Sequence, residues 1–184
     1  LRPTSTARQT RVLSVDDHAF LAEGLRARLA LEPDMAVIGH LARADQLVER
    51  VRELDVDVVL LDIEMPGRDP FLALEELRKA CPRVRTIILS AYVRDRYVDA
   101  TVKAGAWGYL AKSDDPETII TAIRDVVGGR FTFGPAVLER CRQIGQPTDG
   151  LPPAHAAPAG GESAQGHGNE AGGAEETAGA GPAG

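Results

Sequence analysis

Between residues 11 and 128, five short runs rich in Val, Ile and Leu alternate with five helical patterns, and that alternation limits the possible folds more than any other feature. The runs "RVLSV" (11–15), "MAVIGHL" (35–41), "VDVVLLD" (56–62), "VRTIILS" (84–90) and "AWGYLAK" (106–112) read as strands. The third is apolar on both faces, as a central strand covered on each side should be. The first intervening segment, residues 18–31, is predicted to be a helix with Phe20, Leu21, Leu25 and Leu29 on its inner face. The second, 44–54, places Leu47, Val51 and Leu54 together. Further helices are predicted over 71–80, over 95–105 with Gly105 as its stop, and after Pro116 up to Gly128-Gly129. Right-handed crossovers turn such units into an α/β fold, a doubly wound parallel sheet of five strands with helices on both faces.

In a parallel sheet the C-terminal ends of the strands share one edge, where open α/β sheets place their ligands. Strand one ends in Asp16-Asp17, strand three in Asp62, strand four in Ser90 and strand five in Lys112. Strand two ends in no comparable group, as expected of an outer strand too distant to contribute. Each residue has an ordinary alternative. Asp16 or Asp17 could cap the first helix, Asp62 the turn before Pro66, Ser90 could bond local backbone, and Lys112 could be a solvated surface lysine. Their joint placement favours a site. Two carboxylates about 5 Å apart repel by roughly 3 kcal/mol at an effective dielectric near 20. Three such acids call for a hard divalent ion, and Mg²⁺ suits a site of few carboxylates and phosphate oxygens. A carboxylate nucleophile at Asp62, a metal, a lysine and a hydroxyl together suit phosphoryl transfer onto Asp62.

Five of the six net negative charges fall after Arg142, on Asp149, Glu162, Glu170, Glu175 and Glu176, with no Lys or Arg to balance them. From residue 146 onward Gly, Ala, Pro and Glu dominate, and such a segment buries too little apolar surface to offset its backbone entropy. The tail over 146–184 is therefore predicted to be disordered. Deleting residues 147–184 is expected to leave the thermal unfolding midpoint unchanged, and a large drop would show that the tail packs. With neither basic residues nor apolar periodicity, the tail offers no recognition helix, so direct nucleic-acid binding is disfavoured. Cys81 and Cys141 have no metal-ligand or redox spacing and are expected to be reduced, as in a cytoplasmic protein. No apolar stretch approaches a membrane span and no signal-peptide pattern opens the chain, so no membrane association is expected.

The motifs "VLSVDDH", "VVLLDIEMPG", "IILSAY" and "GYLAKS" occur in order, and over residues 11 to 128 the chain resembles the receiver domain of two-component response regulators. The nearest subfamily in pattern is the one that usually carries a LuxR-type helix-turn-helix output domain. This resemblance implies a flavodoxin-like strand order of 2-1-3-4-5. Asp62 would accept phosphate from a histidine kinase or phosphotransfer protein. Asp17 would bind Mg²⁺ directly and Asp16 mainly through water, with Asp62 and the backbone carbonyl of Glu64 as further ligands. Ser90 would be the switch hydroxyl, Tyr109 the switch aromatic, and Lys112 the partner of the phosphate. Where many receivers carry Pro after the lysine, Ser113 follows here.

The resulting division is an N-terminal extension (1–10), a receiver domain (11–129), a linker with a short helix (130–145) and the tail (146–184). Such a chain would be a phosphorylation-dependent switch acting through a downstream protein target, homodimerisation being compatible with it, and not an enzyme beyond its own phosphoryl transfer and dephosphorylation. Three other readings compete, one of them a receiver that is never phosphorylated, against which the complete acid set, Ser90 and Lys112 argue. A transcriptional regulator whose DNA-binding domain is lost or frameshifted shares the same motifs. An aspartate-nucleophile phosphatase of the haloacid dehalogenase type requires DxD, whereas the sequence here is Asp62-Ile63-Glu64.

Overall fold

The computed structural model describes residues 8–143. Six parallel strands, β1 (Thr10–Val15), β2 (Met35–Leu41), β3 (Val58–Asp62), β4 (Arg85–Ser90), β5 (Gly108–Ala111) and β6 (Thr132–Phe133), form one sheet in the order β2-β1-β3-β4-β5-β6. The helices are α1 (Ala19–Leu29), α2 (Leu47–Glu53), α3 (Pro70–Ala80), α4 (Asp95–Ala104), α5 (Pro116–Val127) and α6 (Pro135–Gln143). The α/β doubly wound architecture and the order of the first five strands are as expected.

Alternation along each strand divides the core into two layers. Val12, Val58, Leu60, Ile87, Leu89 and Leu110 point to one face, where Leu29 of α1 and Ile119, Ile120, Ile123 and Val126 of α5 cover them. Leu13, Val15, Val59, Leu61, Ile88 and Tyr109 point to the other, beneath α2, α3, α4 and α6. Both faces of β3 are buried, which is why its sequence lacks the polar alternation of an edge strand.

The ends of the helices follow their chemistry. Asp69 accepts from the backbone amides of Phe71 and Leu72 at the start of α3, and Asp115 accepts from that of Glu117 at the start of α5, each just ahead of a proline at the first helical position. Gly105 closes α4 at φ 83°, a left-handed conformation that glycine adopts without steric cost.

Two expectations change. The sheet has six strands instead of five, because Thr132 and Phe133 pair in parallel with Gly108 and Tyr109. A strand of two residues is too short to produce a period-2 pattern, and its hydrogen bonds come from tertiary placement. In α1, Phe20 is 95 % exposed instead of facing inward. At about 100° per residue it lies on the side of the helix opposite Leu29, and the buried face is built on Ala22 and Leu29. The N-terminal extension up to residue 7 and the tail predicted over 146–184 lie outside the described residues. Among the described residues, no helix is long and apolar enough to cross a membrane.

Candidate functional site

The adjacent strands β1, β3 and β4 deliver Asp16, Asp62 and Ser90 to one rim, and Lys112 arrives directly after β5. Asp62 ends β3 with its side chain fully buried, Asp16 is buried, and the side chain of Lys112 is only 9 % exposed. Lys112 Nζ lies 2.7 Å from Asp62 Oδ2 and 2.8 Å from Asp16 Oδ2. Asp17 turns outward beside them. Asp16, Asp17, His18 and Asp62 can each place one ligand atom within 4.8 Å of all the others.

The ordinary roles raised for these residues divide. The residue preceding α1 is His18, and no side chain caps that helix, so neither Asp16 nor Asp17 is a cap. Asp16 Oδ1 instead accepts from the backbone amide of His18 at 2.8 Å. Asp62 does close its local turn, through Oδ1 and the amide of Glu64 at 2.9 Å, which leaves Oδ2 facing Lys112. Ser90 is wholly buried, and its hydroxyl bonds local backbone, donating to the Tyr92 carbonyl (2.8 Å) and accepting from the Tyr92 amide (3.1 Å). Lys112 is no solvated lysine.

Electrostatics set the two central groups apart. Burial pushes the Asp62 carboxyl above the usual carboxylate range, and the hydrogen bonds from Lys112 and Glu64 offset only part of that. For Lys112, burial favours the neutral amine, but hydrogen bonds to Asp16 and Asp62 together outweigh it and hold the ammonium above its ordinary range. The two shifts are compatible, since one ammonium serves two carboxylates and Asp62 is the more deeply enclosed. One lysine does not neutralise three acids.

Three further side chains reach the rim. The Glu64 carboxylate crosses to β4, accepting from the Ala91 amide at 2.9 Å and from Ser90 Oγ at 3.4 Å. The imidazole of His18, next to Asp17 in the chain, lies against the acids. Strand two is not without influence either: His40 Nε2 donates to the Asp16 backbone carbonyl at 2.7 Å from the adjacent strand. A side chain as long as histidine spans the gap between neighbouring strands, which strand order alone does not reveal.

Tyr109 is fully buried on β5, and its hydroxyl donates to the same Tyr92 carbonyl, at 3.2 Å, that Ser90 uses. Burial raises its phenol and keeps it a neutral donor. The segment after β4 thus links Ser90 at the rim to Tyr109 beneath α4.

The chain matches the response regulator receiver domain family over residues 12–124. It is 31% identical over 126 residues to the nitrate/nitrite response regulator protein NarL of Escherichia coli, covering 68% of this chain and 58% of that protein. It is 37% identical over 125 residues to the uncharacterized transcriptional regulatory protein YvfU of Bacillus subtilis, covering 68% of this chain and 62% of that one. The chain thus spans about three-fifths of the length of these relatives. The crystal structure of a LuxR-family two-component response regulator from Aurantimonas sp. superposes with a TM-score of 0.70 at 28% identity, over 74% of this chain and 97% of that one. Since the matched span contains Asp16, Asp17, Asp62, Ser90 and Lys112, this chain belongs to the response regulator receiver domain family of two-component signalling.

Proposed function

We propose that Asp62 receives a phosphoryl group from a phosphohistidine of a histidine kinase or phosphotransfer protein, in a site that uses Mg²⁺. The observation that carries this reading is the convergence of Asp16, Asp17 and Asp62 at one rim, with the buried Lys112 paired to Asp16 and Asp62. Phosphorylation-dependent signalling is the role of this family.

Asp62 Oδ1 is held by the Glu64 amide, while Oδ2 faces the rim and is hydrogen-bonded to Lys112. Oδ2 attacks phosphorus as the bond to the donor imidazole breaks, giving an acyl phosphate and a neutral histidine on the donor. The donor set fits a hard divalent cation. Asp17, Asp62 and the Glu64 carbonyl would hold it directly and Asp16 mainly through water. When bound, such an ion neutralises charge on the transferring oxygens. Lys112 pairs with a phosphoryl oxygen, exchanging part of its contact with Asp62 for it. Ser90 donates to another phosphoryl oxygen after leaving the Tyr92 carbonyl. That rotation frees a carbonyl shared with Tyr109 and so reaches α4 and β5. The output is a protein contact on the face of α4, β5 and α5, and the chain is a cytoplasmic switch with no separate substrate.

The full chain incubated with acetyl phosphate and Mg²⁺ is expected to gain one phosphoryl group by intact mass. The adduct is removed by hydroxylamine, and EDTA prevents its formation. Absence of any adduct across a range of Mg²⁺ concentrations would reject the proposal.

A further inference from the structure

We propose that α6 is an autoinhibitory cover on the output face, held against α4 and β5 until phosphorylation of Asp62 loosens it. The inference rests on Asp62 being the phosphoryl acceptor, as above. It adds what a downstream partner must wait for, since the surface of α4 and β5 is already filled by this chain's own helix.

Val137 and Cys141, one helical turn apart, form the inner stripe of α6, the first fully buried and the second nearly so. They join the core layer that contains Val98 and Ala104 of α4 and Tyr109 of β5. Arg140 fastens the helix to the first turn of α4 through two hydrogen bonds to Asp95, at 2.5 and 3.1 Å. A protein approaching α4 and β5 therefore meets the exposed, polar side of α6, with Glu139 and Arg142, instead of the apolar bed beneath it.

The cover is attached where the switch moves. Phe133 pairs with Tyr109, and the Gly134 amide donates to the Tyr109 carbonyl at 2.9 Å, immediately before α6 begins. The Tyr109 side chain shares its layer with Val137 and Cys141, and its hydroxyl is anchored on the Tyr92 carbonyl that Ser90 also uses. When Ser90 turns to a phosphoryl oxygen, that anchor changes, and repacking of the Tyr109 ring falls directly under α6 in a close-packed layer. Elsewhere the fastening is light. The side chains of Arg140 and Asp95 are 41 % and 47 % exposed, so water and salt screen their attraction. A two-residue strand, two buried side chains and an exposed ion pair make an element that detaches while the rest of the sheet stays folded.

Cys141 reports the opening. Burial, and after it the carboxylates of Asp95 and Asp99, hold its thiol above the ordinary range, so it reacts slowly while α6 is seated and faster once released. The test follows the rate at which DTNB modifies the full chain carrying Cys81→Ser, in which Cys141 is the one remaining thiol. Acetyl phosphate with Mg²⁺ is expected to raise that rate about tenfold or more, within the usual range of such couplings. Adding Asp62→Asn should hold the rate at its unphosphorylated value under the same treatment. Arg140→Ala should raise the unphosphorylated rate about two- to fivefold, the scale of an exposed ion pair. The phosphoryl adduct is scored by intact mass in parallel samples. A phosphorylated chain with an unchanged Cys141 rate, or an equal rise in Asp62→Asn, would overturn the cover and leave Asp62 as acceptor untouched. A chain that gains no adduct sinks the acceptor reading and the cover with it.

Discussion

Asp62→Asn is expected to lose phosphoryl incorporation altogether and, free of metal, to unfold at a higher temperature than the wild type. The first effect follows from chemistry, because an amide oxygen is a far poorer nucleophile than a carboxylate. Labelling of the variant by acetyl phosphate should fall more than about a hundredfold, the scale of losing a nucleophile in a positioned site. Labelling that persists at the wild-type level would move the acceptor elsewhere.

The second effect follows from burial. A carboxyl whose pKa is higher in the folded than in the unfolded protein binds its proton more tightly in the folded state. Asp62 therefore favours folding most when protonated, below its unfolded value, and this contribution is lost as pH rises through its raised folded value. At neutral pH in EDTA, the charged side chain is a net cost that asparagine removes. The gain should be on the order of 1 kcal/mol, or roughly 3–5 °C for a domain of this size. The difference between variant and wild type should shrink as pH falls, and Mg²⁺ should narrow it by stabilising the wild type through mass action. Thermal denaturation of both proteins across pH, with and without Mg²⁺, measures all three. A destabilised variant at neutral pH would mean that the Asp62–Lys112 attraction outweighs burial.

The next largest effect is expected from ending the chain after Gly129, which removes β6 and α6. Val137 is fully buried and Cys141 nearly so, both in the same core layer as Val98, Ala104 and Tyr109. Arg140 also binds Asp95 at the start of α4 through two hydrogen bonds, at 2.5 and 3.1 Å. Losing two buried side chains and uncovering their neighbours should cost about 3–5 kcal/mol, a drop of roughly 10 °C or more. A chain ending after Gln146 should keep the full midpoint. If the two truncations melt together, α6 is ornamental.

What the sequence could reveal follows the reach of each signal. The first five strands were legible because β-branched runs of about five residues, spaced by helical periods, leave few alternatives. Asp62, Lys112 and the Asp16-Asp17 pair were legible as a cluster because each sits where its strand ends. The face of α1 was not. Apolar residues lie on several sides of that helix, so periodicity does not single out the true inner face, and Phe20 was misplaced on it. β6 escaped because two residues carry no pattern. The reach of His18, His40 and the Glu64 carboxylate escaped because it depends on side-chain direction, which strand order leaves open.

The junction of β6 and α6 bears on tolerance to mutation. The Gly134 amide donates to the Tyr109 carbonyl at 2.9 Å, and a methyl group at residue 134 would collide with the Asp114 carboxylate. That carboxylate accepts from the Ala111 amide at 3.0 Å, immediately before Lys112. Alanine at 134, seventy-two positions from Asp62 in the chain, therefore pushes the Asp114 carboxylate off the Ala111 amide that precedes the lysine. Genetic screens for signalling defects should find lesions at this remote glycine among those at the acidic rim.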